Sequence, residues 1–592
     1  MDHEYVACLD PPLIPTEDCS NLSLSSVILD TTAYISADAF FNPTTAVGEL
    51  STGAPIQVSF CTARPPRLSY LCVHFPGPVL GPDVGTVFGP VAGTPAVRCV
   101  RDPPLVISTH ADRALLRVSI PGSRPANNYD AFDYFVYTAR RRPGSCLLHR
   151  LPKPYGLPRF RDQDASIVSC SGTRYVIAVL RNTLSTMEFT LQLYDSDTRR
   201  WISRNLPVHQ EPERDIDLPI PDSDADLFFH DTTKAIALES TTVGWVDLWR
   251  GIMFCNVLDE KPVLRDMPLP KPARWSRGSL FRGDPYAHRD ISVVALPGQP
   301  QLNLIQYVQM GTRVVRSSRW QPVEHSTSGS SSGEDYDVDC YWTATIWTMP
   351  VPIASWKDWR KDCTIDVANI VIDNPRHSEL LLNALPNLTV ACPEDQASVT
   401  VLTRLVTAYP VLGLGVNGDL VIYLLSKVDY MAREGWVIAV SIRDNKLQGI
   451  TKLDERKNFS FRRYYLATDI PRYLTKATSN GCSDLAFCGT MDWHRLAWED
   501  VAKCGDAVAV YNSQASDKEM EGSDQGRQAR VGQRLCLGAA KQGTRAAEDR
   551  GQPRNACTSL TFGSFSKNML PVELGQCDKV VFPNGGLSPH QM

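Results

Sequence analysis

The sequence predicts a mainly β protein, a β-propeller-like array of antiparallel sheets followed by a disordered C-terminal tail. Three observations predict it. Short runs rich in Val, Ile, Tyr, Phe and Trp fill the middle of the chain, and such side chains favour a pleated, half-buried surface. A weak internal repeat joins those runs in pairs. From about residue 512 to 561 the composition changes and aromatic residues are absent.

The runs include RYVIAVL, FTLQLYD, WVDLWRGIMFCNVL, ISVVALP, LNLIQYVQM, YWTATIW and GWVIAVSI, with Asp, Gly, Asn and Pro between them. That spacing is the spacing of hairpins. LQLYDSDTRRWISRNLP (191–207) reads as an apolar strand, a polar turn, a second strand and Leu-Pro. MFCNVLDEKPVLRDMPLP (253–270) and DYFVYTARRRPGSCLLHRLP (133–152) repeat the order, and WVIAVSIRDNKLQGITKL (436–453) follows it without the proline. Proline suits a strand end, where its missing N–H interrupts no ladder. Repeated antiparallel units that cannot each bury both faces alone point to stacked or radial sheets. A propeller is preferred to a two-sheet sandwich because it leaves only short, protected edges.

The stretch YPVLGLGVNGDLVIYLLS (409–426) carries Gly-x-Gly-x-x-Gly at Gly413, Gly415 and Gly418. A dinucleotide loop needs a helix opening at the third glycine. DLVIYLL follows instead, which reads as a strand, so the segment is a hairpin. Asn417-Gly418 suggests a type I′ turn.

With 592 residues, 43% hydrophobic and 9% aromatic, the chain is long enough to bury a large core. Its formal charge of −5 gives no pull toward nucleic acid or anionic membrane. The acidic, proline-broken start has no apolar signal-like run, and the longest apolar stretch, 411–425, is interrupted by Asn417 and Asp419. The 17 cysteines show no C-x-x-C pair and read as free thiols in a reducing compartment. Cytoplasm or nucleus is the expected location, no membrane association is expected, and the sequons at Asn21, Asn387 and Asn458 then have no function.

Several motif lookalikes fail on context. GSSSG at 329–333 places Ser331 as in a nucleophile elbow, but it lies in a polar Ser/Gly/acidic insert, 325–337, without a strand leading in. Ser331 and Ser332 precede Glu334 and Asp335, a context for acidic-directed phosphorylation. His288-Arg289-Asp290 lacks the asparagine a kinase loop needs, since Ala295 stands there. DSDAD at 222–226 has Leu227 where a calcium loop needs glycine, and it reads as an exposed acidic loop. The 11 histidines show no zinc spacing. No catalytic residue, metal ligand or cofactor is therefore nominated.

Tryptophans are the remaining candidates: Trp245 and Trp249 in VGWVDLWRGIMFC, and Trp342, Trp347, Trp356 and Trp359 in YWTATIWTMPVPIASWKDW. Either they fill the space between sheets, or they form an aromatic binding rim. Their place in β-periodic apolar runs favours core.

The segment VGWVDLWRGIMFCNVLDEKPVLRDMPLP (243–270) resembles the signature of a plant family known as a domain of unknown function, numbered 1618, which is expanded in grasses. STGAPIQVSFCTARPPRLSYLCVHFPG (51–77), DYFVYTA, LHRLPKPY, RDISVV, WTATIWTM and EGWVIAVSIRDNKLQGITKLDER are similar to other parts of it, over roughly residues 25–475. The resemblance implies no activity, cofactor or catalytic residue. Its repeats also resemble kelch-type and F-box-associated propellers.

The organisation expected is a flexible segment at 1–24, the propeller-like domain at 25–475, a connecting segment at 476–511 and a disordered tail at 512–592. Residues 512–561 mix arginines with acidic residues and contain no aromatic, so no nucleic-acid partner is expected. The functional expectation is a non-catalytic scaffold that binds an unidentified protein partner. The alternatives are a hydrolase with a site built from propeller loops, and a ubiquitin-ligase substrate adapter without its own F-box.

Overall fold

The computed structural model describes residues 11–12, 14, 24–36, 39–76, 102–121, 131–154, 160–185, 187–209, 230–270, 284–296, 299–318, 336–384, 401–429, 432–456 and 465–474. The chain divides into two compact units, Met1–Met491 and Asp492–Met592, and every described residue lies in the first.

Apart from one two-stranded pair, the described strands fall into six groups of four, two of which merge into one eight-stranded sheet. The first group is β2 (Tyr34–Ile35), β3 (Ala46–Glu49), β4 (Pro55–Cys61) and β5 (Tyr70–His74). The second is β6 (Leu105–His110), β7 (Arg113–Ser119), β8 (Phe132–Thr138) and β9 (Leu147–Arg150). The third is β10 (Ala165–Ser169), β11 (Tyr175–Asn182), β12 (Glu188–Asp195) and β13 (Arg200–His209). The fourth is β14 (Lys234–Ala237), β15 (Thr242–Asp247), β16 (Gly251–Asn256) and β17 (Leu264–Pro268). The fifth is β18 (Arg289–Leu296), β19 (Gln299–Ser318), β20 (Tyr336–Pro350) and β21 (Arg360–Asp366). The sixth is β22 (Val406–Leu414), β23 (Leu420–Lys427), β24 (Trp436–Ser441) and β25 (Leu447–Lys452). A short helix, α1 (Pro375–Ala384), lies in the connection between β21 and β22.

Groups two to six are antiparallel meanders in chain order. The third and fourth join where their last strands run parallel, Val208 opposite Leu264 and His209 opposite Arg265. In the first group, β2 instead runs parallel to β5. The sheets cover one another in succession. Phe60 and Leu71 of the first pack with Leu116 and Phe135 of the second. Leu115 and Val136 then meet Ile167 and Ile177 of the third. Val176 and Leu191 meet Val243 and Trp245 of the fourth, and Val246 and Ile252 meet Ile305 and Trp347 of the fifth. Val308 and Ile346 meet Leu412 and Ile438 of the sixth. The inner strands of the sheets, such as β5, β11, β16 and β24, are covered on two faces, which is why they read as continuous apolar runs and not as alternating ones.

The ring closes through β1 (Val27–Asp30) and β26 (Tyr465–Thr468), which pair antiparallel with Val27 opposite Thr468. The far side of β1 reaches the first sheet, where Asp30 N–H donates to the Ser69 carbonyl at 2.9 Å and Ser69 N–H to the Ile28 carbonyl at 2.8 Å. The mainly β, propeller-like array expected from the sequence is the fold observed.

The glycine-rich stretch is a hairpin, β22 to β23, with Leu414 opposite Leu420. Its turn differs from the expected type I′. Positive φ falls on Gly418 alone, at +82°. Gly418 N–H donates to the Gly415 carbonyl at 3.0 Å, and Gly415 N–H to the Asp419 carbonyl at 2.8 Å. This is a three-residue connection in which a type I turn ends in one left-handed glycine, so Asn417 needs no positive φ.

The expected segments at 1–24, 476–511 and 512–592 lie outside the described residues apart from isolated positions before residue 25, as do Ser331, Ser332, the DSDAD loop and the three sequons. The 325–337 insert lies outside them too, except for its last two residues, which already belong to β20.

Candidate functional site

The first strands of the sheets gather around a cavity of about 450 Å³, walled by residues of β6, β14, β18, β22 and β26. Four strands per meander return the chain to the same end, so these first strands run in one sense. Side-chain contacts agree. At the strand starts, Tyr286 hydroxyl donates to the Thr233 carbonyl at 2.6 Å. At the strand ends, Asn303 Nδ2 reaches the Leu238 carbonyl at 3.5 Å.

At the starts, Lys234 Nζ donates to Asp290 Oδ1, and Ser292 Oγ donates to Asp290 Oδ2 at 3.0 Å. The pair is enclosed, with side chains 14% and 5% exposed. At the strand ends lie His110, Asp469, Arg472 and Tyr473. Arg472 Nη1 stands 3.9 Å from Asp469 Oδ2, with side chains 35% and 39% exposed, and Arg472 Nε donates to the Ser25 carbonyl at 2.7 Å. Burial pushes the Asp469 carboxyl above its ordinary range, Arg472 opposes that, and Asp112 adds to it. Burial holds His110 down, to about 4, so its ring is neutral at physiological pH. Its Nδ1 accepts from the Ser169 N–H at 2.9 Å, which leaves the proton on Nε2. Ile107, Ile236, Val411 and Leu466 supply apolar wall between the two charged ends. Among the described residues, no group of three or more His, Cys, Asp or Glu side chains is arranged to hold a metal ion. No described helix is long and apolar enough to cross a membrane.

The tryptophans singled out from the sequence do not meet at this cavity. Trp245 and Trp342 are fully buried and Trp347 is buried. Trp249 and Trp359 are half-buried. Trp245 Nε1 donates to the Asp164 carbonyl at 2.9 Å, and Trp359 Nε1 to the Pro268 carbonyl at 3.0 Å. The Trp342 N–H finds no acceptor among the described residues. The guanidinium of Arg289 lies over the Trp249 ring at 4.5 Å. Trp245, Trp342, Trp347 and Trp359 serve as packing between sheets. Trp356 begins a 3-10 turn, Trp356–Asp358, and its side chain lies outside the described set.

Residues 245–423 match the model of the family DUF1618, described as a protein of unknown function. The match begins at Trp245 and runs from β15 into β23, so of the charged residues of the cavity it includes Asp290 and leaves out Lys234, Asp469 and Arg472. No curated protein matches the chain. A solved structure of Penicillium chrysogenum α-L-arabinanase complexed with arabinobiose aligns with 59% of this chain and 91% of its own, at 10% identity and a TM-score of 0.23. A likeness of that degree says nothing about activity here.

Sequence reasoning missed all four charged residues of the cavity, Lys234, Asp290, Asp469 and Arg472. Asp290 was in view within His288-Arg289-Asp290, dismissed as a kinase motif. The readable signal was a charged pair heading the fully apolar strand ISVVALP, and again Lys234 heading AIAL.

Proposed function

We propose that the chain is a non-catalytic protein-interaction scaffold that engages a partner through an arm of its fifth sheet. The observation that carries this reading is the length of the β19–β20 hairpin. β18 pairs with β19 only as far as Arg289 opposite Gln309, and β21 pairs with β20 from Thr343 opposite Asp366. The two long strands continue together to Ser318 opposite Tyr336. Beyond those limits, neither outer edge of the arm has a ladder partner among the described residues. One face of the arm is fastened down by Cys340 and Trp342, which are buried. Val314, opposite Cys340 on that same face, is 56% exposed nearer the tip, and the other face carries Arg313, whose guanidinium lies 5.2 Å from the ring centre of Tyr341, its cross-strand partner. Open edges, flanked by an exposed apolar side chain on one face and a cationic one on the other, suit an extended segment of a partner, added as a further strand.

The kelch-type likeness is part of this proposal, supported by the ring of first strands and its closure by β1. So is the placement in cytoplasm or nucleus, supported by Cys146, Cys170, Cys255, Cys340 and Cys363 being free thiols. The test is affinity capture with the wild-type chain and with a Val314→Asp, Arg313→Glu variant of equal urea midpoint. A partner held by the first and lost by the second supports the reading. Identical partners for both defeat it.

One observation favours a second reading, a hydrolase. Asp469, with its raised carboxyl pKa, shares the open end of the cavity with neutral His110. A carboxyl of raised pKa near an uncharged base is a pairing that hydrolytic chemistry uses. Turnover of chromogenic esters or glycosides that disappears in Asp469→Asn would support it.

A further inference from the structure

The charges of the cavity carry an inference beyond the scaffold reading and independent of the arm. Lys234 and Arg472 bring two positive charges, Asp290 and Asp469 two negative ones, and they stand as pairs at the two ends. The site therefore has no net field that selects an ion. Each pair sets a donor beside an acceptor. Lys234 keeps two N–H groups besides the one given to Asp290, and at the open end the Asp469 oxygens face the Arg472 fork at 3.9 Å.

A ligand carboxylate only accepts, so it would be repelled by Asp290 or Asp469 wherever it met Lys234 or Arg472. An ammonium only donates and meets the opposite conflict. A hydroxyl donates and accepts through one oxygen, so it satisfies both members of a pair at once. Between the pairs, Ile107, Ile236, Val411 and Leu466 offer surface to C–H groups. The volume of about 450 Å³ is of small-molecule size.

We propose that the axial cavity binds a small, net-neutral, polyhydroxylated molecule, its hydroxyls bridging Lys234–Asp290 at the enclosed end and Asp469–Arg472 at the open end. Neutral His110 adds an uncharged N–H donor at the rim.

The experiment is ligand-observed saturation-transfer NMR on the full chain, with myo-inositol, glycerol and sucrose as neutral probes and citrate and spermidine as charged ones. The variants are Lys234→Met and Asp469→Asn. Asp469 sits at the exposed rim, so its variant keeps the test open if Lys234→Met fails to fold. The expected result is saturation transfer to at least one neutral probe, weakened tenfold or more in Asp469→Asn at an unchanged urea midpoint. Three outcomes overturn the proposal: stronger binding of citrate or spermidine than of every polyol, no transfer to any neutral probe, or transfer unaffected by Asp469→Asn.

Discussion

Ile28, in the first strand, lies opposite Ala467, in the last. Almost the whole described chain runs between these two residues, and their pairing holds the sixth sheet to the first. Val27, Ile28 and Leu29 are all fully buried there.

Removing residues 1–30 should therefore open the ring. Three buried aliphatic side chains are together worth ~6 kcal/mol at the usual value for each. The expected outcome in a urea titration is a lower midpoint and a broadened or divided transition. A truncated chain with the wild-type midpoint and slope would contradict closure through β1.

Gly251→Ala tests the packing of the fourth sheet. A Cβ at Gly251 would stand 2.2 Å from the Met267 carbonyl oxygen and 2.9 Å from Pro268 Cα, both backbone atoms that cannot turn aside. The expected loss is about 3 kcal/mol. Gly311→Ala, whose Cβ would meet only Thr343 Oγ1 at 3.4 Å, is the matched control and should cost much less. Equal midpoints for the two variants would count against this account.

Trp245→Phe keeps most of the ring volume but removes the N–H that serves the Asp164 carbonyl. The orphaned buried carbonyl should cost about 1–3 kcal/mol. Trp249→Phe, at a half-buried position, should cost less and act mainly through Arg289, which stacks on that ring. Chemical denaturation of both variants ranks them. The order would be reversed if Trp249 were the structural ring and Trp245 the recognition ring.

Stability should fall on mild acidification. Burial lowers His230 from 6.5 to about 4, Asp266 and Asp231 pull upward, and Arg250 and Arg161 pull downward. The native ring stays neutral while an unfolded chain takes a proton near its ordinary pKa. The contribution is thus fully present above 6.5 and is lost as pH falls from 6.5 toward 4. The full difference is about 3 kcal/mol. Comparing urea midpoints at neutral and mildly acidic pH checks it, and His230→Gln should flatten the slope through that window. An unchanged slope in that variant would assign the acid sensitivity elsewhere.

Much of the fold was legible because its signals are local. The repeat at 133–152, 191–207, 253–270 and 436–453 turns out to be the third and fourth strands of the second, third, fourth and sixth groups. Strand, turn and strand lie within one short window there, and periodicity with turn chemistry reads that far. The same locality made the 413–418 segment recognisable as a hairpin while leaving its turn type open to error, because only the closing hydrogen bonds fix where positive φ falls. The buried tryptophans followed from the apolar runs that contain them.

What the amino-acid order by itself determined was the strands, their hairpin pairing and the burial of the aromatic rings, all set by neighbours a few residues away. Tertiary structure decided the rest: the union of β1 with β26, the arm of β19 and β20, and the gathering of Lys234, Asp290, Asp469 and Arg472 around one axis. Those groups come from two separate sheets and from the turn that follows β26. Their meeting depends on how sheets stack into a ring, and side-chain volume across the inter-sheet cores governs that stacking, not any pattern along the chain.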